Sequence, residues 1–217
     1  MGVPCFYAYI IKNHVNIIKE INKKYIDNFY LDCNSIIYDA VLELNKQEKI
    51  NNYEPTLINL VIKKINDLID FIKPTQNCII AFDGVAPLAK LNQQRIRRFK
   101  SSYEKKILSK LENKSDQKWD TTAITPGTTF MNKLTLRLNT VKFNYENENL
   151  NVIISSSDEI GEGEHKIFEF IRLNPSLHKN SETMIYGLDA DLIMLSMICS
   201  NKIYLLRERI HFGKSLD

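Results

Sequence analysis

The segment GEGEHK, residues 161–166, places two glutamates one residue apart, Glu162 and Glu164. Acidic side chains in the first turn of a helix complement the helix macrodipole, and this structural role is enough to explain either glutamate alone. Carboxylate oxygens are also the ligands that Mg²⁺ prefers. A metal-binding role becomes the better interpretation only if acids from other parts of the chain reach the same place.

Four aspartates close or follow short apolar runs elsewhere in the chain, and each run has the composition of a buried strand. They are Asp32, Asp83, Asp189 and Asp191. An aspartate at a strand end is often a turn former or a helix N-cap, but its recurrence at corresponding strand ends favours a common function. Asp158 and Glu159 follow a further run, where a solvated loop suits them as well as a metal does.

Several carboxylates in one cleft repel one another, by about 4 kcal/mol per pair at 4 Å and an effective dielectric constant of 20. Such a cluster needs cations, and two Mg²⁺ ions, or Mn²⁺ in their place, could stabilise the attacking and leaving oxygens of phosphodiester hydrolysis. Zinc is disfavoured because no cysteine or histidine pair is placed for it. His165 is interpreted as a packing or hydrogen-bonding residue. The predicted metal-binding and catalytic acids are Asp32, Asp83, Glu162, Glu164, Asp189 and Asp191.

A basic segment begins a few residues after Asp83. Residues 88–118 hold ten Lys and Arg against three Asp and Glu, a net charge of +7, whereas the rest of the chain carries −4. Four of its side chains fall at i, i+4, i+7 and i+8, which is one face of a helix: Lys90, Gln94, Arg97 and Arg98. This face suits phosphate oxygens, although a basic helix is in general more often a solvated surface, and Arg95 and Lys100 point elsewhere.

These side chains need a framework that brings distant segments together. Five runs read as strands, at 28–33, 77–84, 151–157, 183–189 and 202–208. Apolar periodicity predicts helices at about 35–45, 57–72, 87–114, 128–142, 163–173 and 190–199. Strands separated by helices instead of short hairpins favour a largely parallel α/β sheet with right-handed crossovers. Ligands bind outside the carboxyl ends of such strands, where the acids are expected to meet.

Composition places the chain among globular proteins. Its 217 residues are 44% hydrophobic and 25% charged, and they read as one α/β domain over residues 1–217. The four cysteines have no CxxC spacing and lie among apolar residues, which favours reduced thiols in an intracellular compartment. No apolar run reaches the roughly 18 residues of a membrane span. We therefore expect a cytosolic or nuclear protein.

Seven segments carry a resemblance to a known family. They are MGVPCFYAYI, YLDCNSII, FDGVAPLAKLNQQRIRRFK, ITPGTTFM, GEGEHKIFEFIR, YGLDADLIML and LLRE. In this order they resemble the N-terminal catalytic region of the XRN family of 5′→3′ exoribonucleases, from Met1 to about Gly213. Together the motifs are highly specific.

The resemblance implies a PIN/flap-endonuclease-like nuclease core with two divalent metals. It implies removal of nucleotides from RNA that carries a 5′ monophosphate, as in mRNA decay, with the six acids as metal ligands. Lys90, Gln94, Arg97 and Arg98 would form the pocket for the 5′ phosphate, and MGVP would lie near the active site.

The chain departs from the family in two respects. Tyr38 stands where the family usually has a stacking histidine; its ring can still stack on a base, and an ordinary half-buried helix tyrosine explains it equally well. The family's catalytic region also continues well beyond 217 residues, and there it contributes a further metal-binding aspartate and a second stacking aromatic residue. We expect a fragment, a shortened relative, or one piece of an assembly in which another segment or chain completes the active site.

Two other functions remain open on the sequence alone. A structure-specific 5′ nuclease that cuts DNA flaps would share the acidic core, although the helix KLNQQRIRR suits a pocket that reads a strand end. A non-catalytic RNA-binding module would explain the missing C-terminal ligand, and it would bind RNA in a salt-sensitive way without turnover.

Overall fold

A parallel β-sheet forms the centre of the molecule. The computed structural model describes residues 6–21, 25–47, 50–111, 119–141, 143 and 149–207. Within these residues the sheet has five strands, β1 Asn28–Asp32, β2 Asn77–Ala81, β3 Asn151–Ser155, β4 Thr183–Tyr186 and β5 Ile203–Leu206. Their order is β3-β2-β1-β4-β5 and every pairing is parallel. The predicted α/β class and parallel sheet are confirmed, although β2, β3 and β4 end two or three residues before their predicted bounds.

Helices connect the strands and cover both faces of the sheet. In the described part of the chain they are α1 Phe6–Asn13, α2 Asn34–Leu44, α3 Tyr53–Ile72, α4 Leu88–Leu111, α5 Thr129–Thr140, α6 Gly163–Leu173, α7 Pro175–His178 and α8 Asp191–Ile198. One-turn 3₁₀ helices occur at Val15–Ile17 and Thr121–Ala123. The six predicted helices are confirmed. The predicted ends of α4 and α5, the final residue of the predicted fifth strand and the segment MGVP lie outside the described residues.

Alternating side chains of β1 separate two apolar layers. Phe29 and Leu31 face a cluster formed with α2, α3 and α5, whereas Tyr30 faces the layer formed with α6 and α8. All five residues of β1 are buried, as in a central parallel strand that is covered on both faces. The carboxyl end of β1 is therefore set on a strand that is covered on both faces.

The amphipathic stripe of α3 shows how the sequence forms this core. Leu57, Val61, Ile65 and Ile69 recur at helical spacing and are all buried. The helix ends at Ile72, and its C-cap residue Lys73 adopts a left-handed φ of 54° and precedes Pro74. The C-terminal boundary follows from the proline, which cannot continue a helix and restricts the residue before it.

The strand order reverses direction at β1, which has β2 on one side and β4 on the other. In open parallel sheets such a switch point leaves a crevice beyond the carboxyl ends of the strands, because the two connecting chains leave in opposite directions. Asp32 is the last residue of β1 and stands at this crevice. No helix within the described residues is long and apolar enough to cross a bilayer.

Candidate metal centre and phosphate-binding face

Six acids converge at the carboxyl edge of the sheet. They form three overlapping groups, and within each group one ligand atom per residue lies within 4.8 Å of the others. The groups are Asp32, Asp83 and Glu164; Glu164, Asp189 and Asp191; and Glu162, Glu164 and His165. The structure thus brings together all six acids that the sequence singled out, with Glu164 common to the three groups. We call the six acids the acidic cluster.

Asp32 is one of three buried members of the acidic cluster, together with Glu162 and Glu164. Its Oδ1 atom is buried and has no hydrogen-bond partner among the residues that the structure describes. Burial raises the pKa of this carboxyl well above its usual range, and the carboxylates of Asp83 and Glu164 raise it further. A buried oxygen without a donor is costly unless a proton or a cation approaches it.

Two glycines leave room for the carboxyl group of Asp32. A Cβ atom on Gly163 would lie 2.6 Å from Oδ1 of Asp32, and a Cβ on Gly187 would lie 2.3 Å from Cδ1 of Leu192 and 3.3 Å from Cβ of Asp32. Both positions require close approach of the backbone. The glycine between the two glutamates of GEGEHK therefore has a role of its own in shaping the site.

Asp83 is held by donors on both of its oxygens. Asn34 donates from Nδ2 to Oδ2 of Asp83 and accepts from the Asp83 amide at 3.2 Å, while the Gly163 amide donates to Oδ1 at 2.8 Å. Burial raises the pKa of Asp83, and the Gly163 bond opposes this shift. Asn34 was not among the predicted site residues; its position two residues after Asp32, within YLDCNSII, was the available signal.

Glu162 and Glu164 occupy the start of α6, and both are buried. The pKa of Glu164 is raised to about 7 by burial, with further contributions from Asp83, Glu162 and Asp189. The helix macrodipole alone would lower the pKa of a carboxyl in this position. The two glutamates thus begin a helix and also belong to the acidic cluster, and the shift at Glu164 shows that enclosure among acids outweighs the helix terminus.

Asp189 and Asp191 form the more open side of the acidic cluster. Asp189 is exposed and Asp191 is half-buried at the first position of α8. The Asp191 amide donates to Oδ1 of Asp189 at 3.3 Å. The acidic cluster is therefore open to solvent on this side.

The acidic cluster fits a divalent cation. Its ligands are hard carboxylate oxygens, one of them is a buried oxygen without a donor, and burial and mutual repulsion raise the pKa values of Asp32, Asp83 and Glu164. Mg²⁺ and Mn²⁺ prefer such oxygen sets. The three described cysteines, Cys33, Cys78 and Cys199, are free thiols outside the cluster; Cys5 lies outside the described residues.

The predicted basic face of α4 borders the acidic cluster. Nζ of Lys90 lies 3.2 Å from Oε1 of Glu162, and Nε2 of Gln94 donates to the same oxygen at 3.5 Å. Arg97 is exposed and Arg98 is half-buried. Lys90 and Gln94 therefore join the basic face of α4 to the acidic cluster.

Tyr38 lies beside the arginines of this face. The residue is 46% exposed, and both Arg98 and Arg97 are close enough to influence the phenol electrostatically, as is Asp83. Burial raises the pKa of Tyr38, and Arg98 opposes that shift. An exposed π face next to cations and carboxylates is available for stacking.

Three residues that sequence reasoning left aside have distinct surroundings. Ser155 donates from Oγ to Glu159, and Asp158 bonds with Ser156 through both its amide and its carboxylate, so these two exposed acids cap a loop. His165 is exposed, and its Nε2 lies 3.9 Å from Oε2 of Glu162. The imidazole thus reaches the edge of the acidic cluster.

Lys166 is a site residue that sequence reasoning missed. Its Nζ donates to the carbonyl oxygens of Phe82 at 2.9 Å and Ser156 at 2.6 Å. Burial lowers the pKa of this lysine, although Glu159, Asp83 and Asp158 oppose the shift. Lys166 ties the chain after β2, which carries Asp83, to the chain after β3. Its place within GEGEHK was a signal, but its carbonyl partners depend on the tertiary fold.

Comparison with known proteins assigns the family. The family model described as "XRN 5'-3' exonuclease N-terminus" matches residues 1–209. The chain is 37% identical to the protein named 5'-3' exoribonuclease 1 of Saccharomyces cerevisiae, over 99% of this chain and 15% of the relative. It is 36% identical to the protein of that name from Homo sapiens, over 98% of this chain and 14% of the relative. The corresponding Schizosaccharomyces pombe protein is 34% identical, over 98% and 17%.

The chain thus spans about one sixth of the length of these curated relatives. The family match nevertheless covers every element of the acidic cluster and of the basic face. The resemblance noted in the sequence is confirmed, and the chain belongs to the XRN 5'-3' exonuclease family, whose N-terminal region it matches.

Proposed function

We propose that this chain carries the metal centre and the 5′-end pocket of an exoribonuclease that hydrolyses single-stranded RNA from a 5′-monophosphate end. The observation that supports this proposal most directly is the contact between the acidic cluster and the basic face of α4, where Nζ of Lys90 lies 3.2 Å from Oε1 of Glu162. The names of its relatives support RNA as the substrate and a 5′→3′ direction. Residues 1–217 would form one nuclease domain.

In this proposal the acidic cluster holds two Mg²⁺ ions, or Mn²⁺ in their place. When bound, such ions supply activated water and stabilise the attacking and leaving oxygens of phosphodiester hydrolysis. The chain's own residues fix the ligands: Asn34 and the Gly163 amide orient the carboxylate of Asp83, and Lys166 holds the backbone behind it. Partial enclosure by the sheet edge keeps bulk water from screening the charges.

The basic face would bind the terminal phosphate. Lys90 and Gln94 lie at the acids, and Arg97 and Arg98 continue the same helix face outward, beside Tyr38. Guanidinium groups pair with phosphate oxygens through two parallel donors. Tyr38 would stack on a base, because stacking needs only a π face. A triphosphate or a cap would not fit a pocket bounded by Glu162 and its neighbours as well as a single phosphate does.

The proposal is tested with matched RNAs that bear a 5′ monophosphate, triphosphate or hydroxyl. Release of mononucleotides in Mg²⁺ is measured for the purified chain. It is also measured for a fusion of this chain to the C-terminal part of a curated relative. We expect the monophosphate RNA to be degraded fastest. Equal rates on the three ends would reject the phosphate pocket.

Two variants sharpen this test. Arg98→Ala should reduce the preference for the monophosphate RNA by about tenfold or more, because a charge-assisted bond to the terminal phosphate is lost. Arg95→Ala is the matched control, since Arg95 is an exposed arginine of α4 that helical spacing places on another face of the helix. RNA binding that is salt-sensitive but without turnover, unchanged by Asp83→Ala and Asp189→Ala, would favour a binding module instead.

Decay of cytoplasmic mRNA is the cellular process we propose.

A further inference from the structure

Arg207 follows β5, in the motif LLRE that none of the roles above uses. Its guanidinium donates from Nη1 to the carbonyl oxygen of Asp189 at 3.1 Å and from Nη2 to the carbonyl oxygen of Leu188. Both carbonyls belong to the short connection between β4 and α8. This connection carries Asp189 and leads directly into Asp191, so Arg207 holds the backbone of one member of the acidic cluster two residues before the next.

The guanidinium of Arg207 also lies over an aromatic ring. The Cζ atom of Arg207 is 4.1 Å from the ring centroid of Tyr7 in α1. A cation over an aromatic face within about 6 Å is attracted by the ring quadrupole. Arg207 therefore joins three parts of the chain: the N-terminal helix, the end of β5 and the connection that carries Asp189.

The acidic cluster differs internally in how its members are supported. Asp32 is enclosed by Gly163 and Gly187, and Asp83 is held by Asn34 and the Gly163 amide. Asp189 is exposed, so core packing does not fix it. Its backbone is instead gripped by a planar group with several donors in a fixed geometry, a task for which arginine is suited and lysine is not.

We propose that Arg207 is a positioning residue that sets the geometry of Asp189 and Asp191 for divalent-ion binding, with Tyr7 holding the guanidinium in place. Removing a residue that hydrogen-bonds to a metal ligand typically weakens metal binding by about 10–100-fold. The proposal rests on the proposed function, because it needs the acidic cluster to bind a metal. It adds a residue that would act through the backbone of Asp189 instead of as a metal ligand.

The experiment measures Mn²⁺ binding to the purified chain without RNA, by the electron paramagnetic resonance signal of free Mn²⁺, together with thermal unfolding in EDTA. We expect Arg207→Ala to weaken Mn²⁺ binding at least tenfold. Arg207→Lys should weaken it similarly, because one ammonium cannot reproduce the planar pair of donors. Arg172→Ala, which removes an exposed arginine at the end of α6, is the matched control and should bind as the unaltered chain does.

Substitutions of Tyr7 test the second contact and do not depend on how Arg207 variants fold. Tyr7→Phe keeps the π face and should preserve Mn²⁺ affinity, whereas Tyr7→Leu should weaken it. Unaltered affinity in Arg207→Lys and Tyr7→Leu, with intact folding in EDTA, overturns the positioning role. Asp83→Asn separates this result from the proposed function: if it too binds Mn²⁺ normally, the metal centre itself is wrong, whereas its loss of binding beside normal Arg207 and Tyr7 variants refutes only the role of Arg207.

Discussion

Glu164 combines two incompatible demands in one side chain. It must be ionised to bind a cation, yet burial and three neighbouring carboxylates raise its pKa to about 7. In the metal-free protein the folded state therefore holds the Glu164 proton more tightly than the unfolded chain does. Stability associated with this proton is present at low pH and is lost as pH rises through about 7. The acidic cluster thus lowers stability at neutral pH unless a cation binds.

Glu164→Gln should stabilise the metal-free protein at pH 8, by about 1–3 kcal/mol, because it removes the ionisation and its repulsion. The measurement is urea unfolding in EDTA at pH 5.5 and pH 8. The unaltered chain should lose stability between the two values, and the variant should lose less, with Asp32 and Asp83 accounting for the remainder.

Glu169→Gln is the control for this substitution, since Glu169 is an exposed glutamate of the same helix. It should leave the dependence on pH unchanged. An identical loss of stability in Glu164→Gln and the unaltered chain would contradict the raised pKa.

Lys166→Met should destabilise the protein by about 1–3 kcal/mol, because the carbonyl oxygens of Phe82 and Ser156 lose their shared donor. Urea unfolding near pH 7 measures the change. Lys179→Met removes an exposed lysine and should have an effect within about 0.5 kcal/mol. Equal stability of the two variants would mean that the Lys166 bonds contribute nothing net.

At the scale of elements, hydrophobic periodicity and the residues that end helices and strands were enough to predict the strands and the longer helices. Five apolar runs and six periodic segments marked the strands and the longer helices, and the acids at the run ends marked the edge where they meet. The short elements α1 and α7 were missed: α1 has no buried side chain, and α7 has only four residues, too few for a periodic pattern.

Contacts made through backbone atoms were also beyond sequence reasoning. Lys166 donates to carbonyl oxygens that lie 84 and 10 residues away along the chain, and Arg207 donates to carbonyl oxygens 18 and 19 residues away. Carbonyl oxygens have no residue-specific signature, so only the assembled sheet shows which of them a side chain can reach. The acids were easier because their own side chains carry the chemistry.

The short helix α7 is anchored by a buried polar chain. The Tyr30 hydroxyl lies 2.7 Å from Nε2 of His178, and Nδ1 of His178 lies 2.7 Å from the carbonyl oxygen of Asn174. The carbonyl can only accept, so Nδ1 carries the proton and Nε2 accepts from the tyrosine. Burial lowers the pKa of His178, which keeps the ring neutral.

Tyr30→Phe should cost about 1–3 kcal/mol, because Nε2 of His178 is left buried without a donor. Unfolding in urea at pH 7.5 measures the loss. Tyr25→Phe is the control, as Tyr25 is exposed. A loss no larger than that of the control would mean that the buried chain does not stabilise α7.

At the scale of the whole molecule, divalent ions and protons compete for the same carboxyls, and binding to the folded state alone raises its stability. Mn²⁺ should therefore raise the melting temperature more at pH 8 than at pH 5.5, reversing the trend expected in EDTA. Calorimetry with and without 1 mM Mn²⁺ checks this, and Asp83→Asn should abolish most of the shift. A shift independent of pH would place the ion away from the acidic cluster.

The central position of β1 also determines when the acidic cluster can form during synthesis. Its neighbour β4 and the acids Asp189 and Asp191 come more than 150 residues later in the chain. Asp32 can therefore meet the other acids only after the chain through Asp191 has been made. During synthesis, the chain through Asp191 must therefore have left the ribosome before the six carboxylates can assemble.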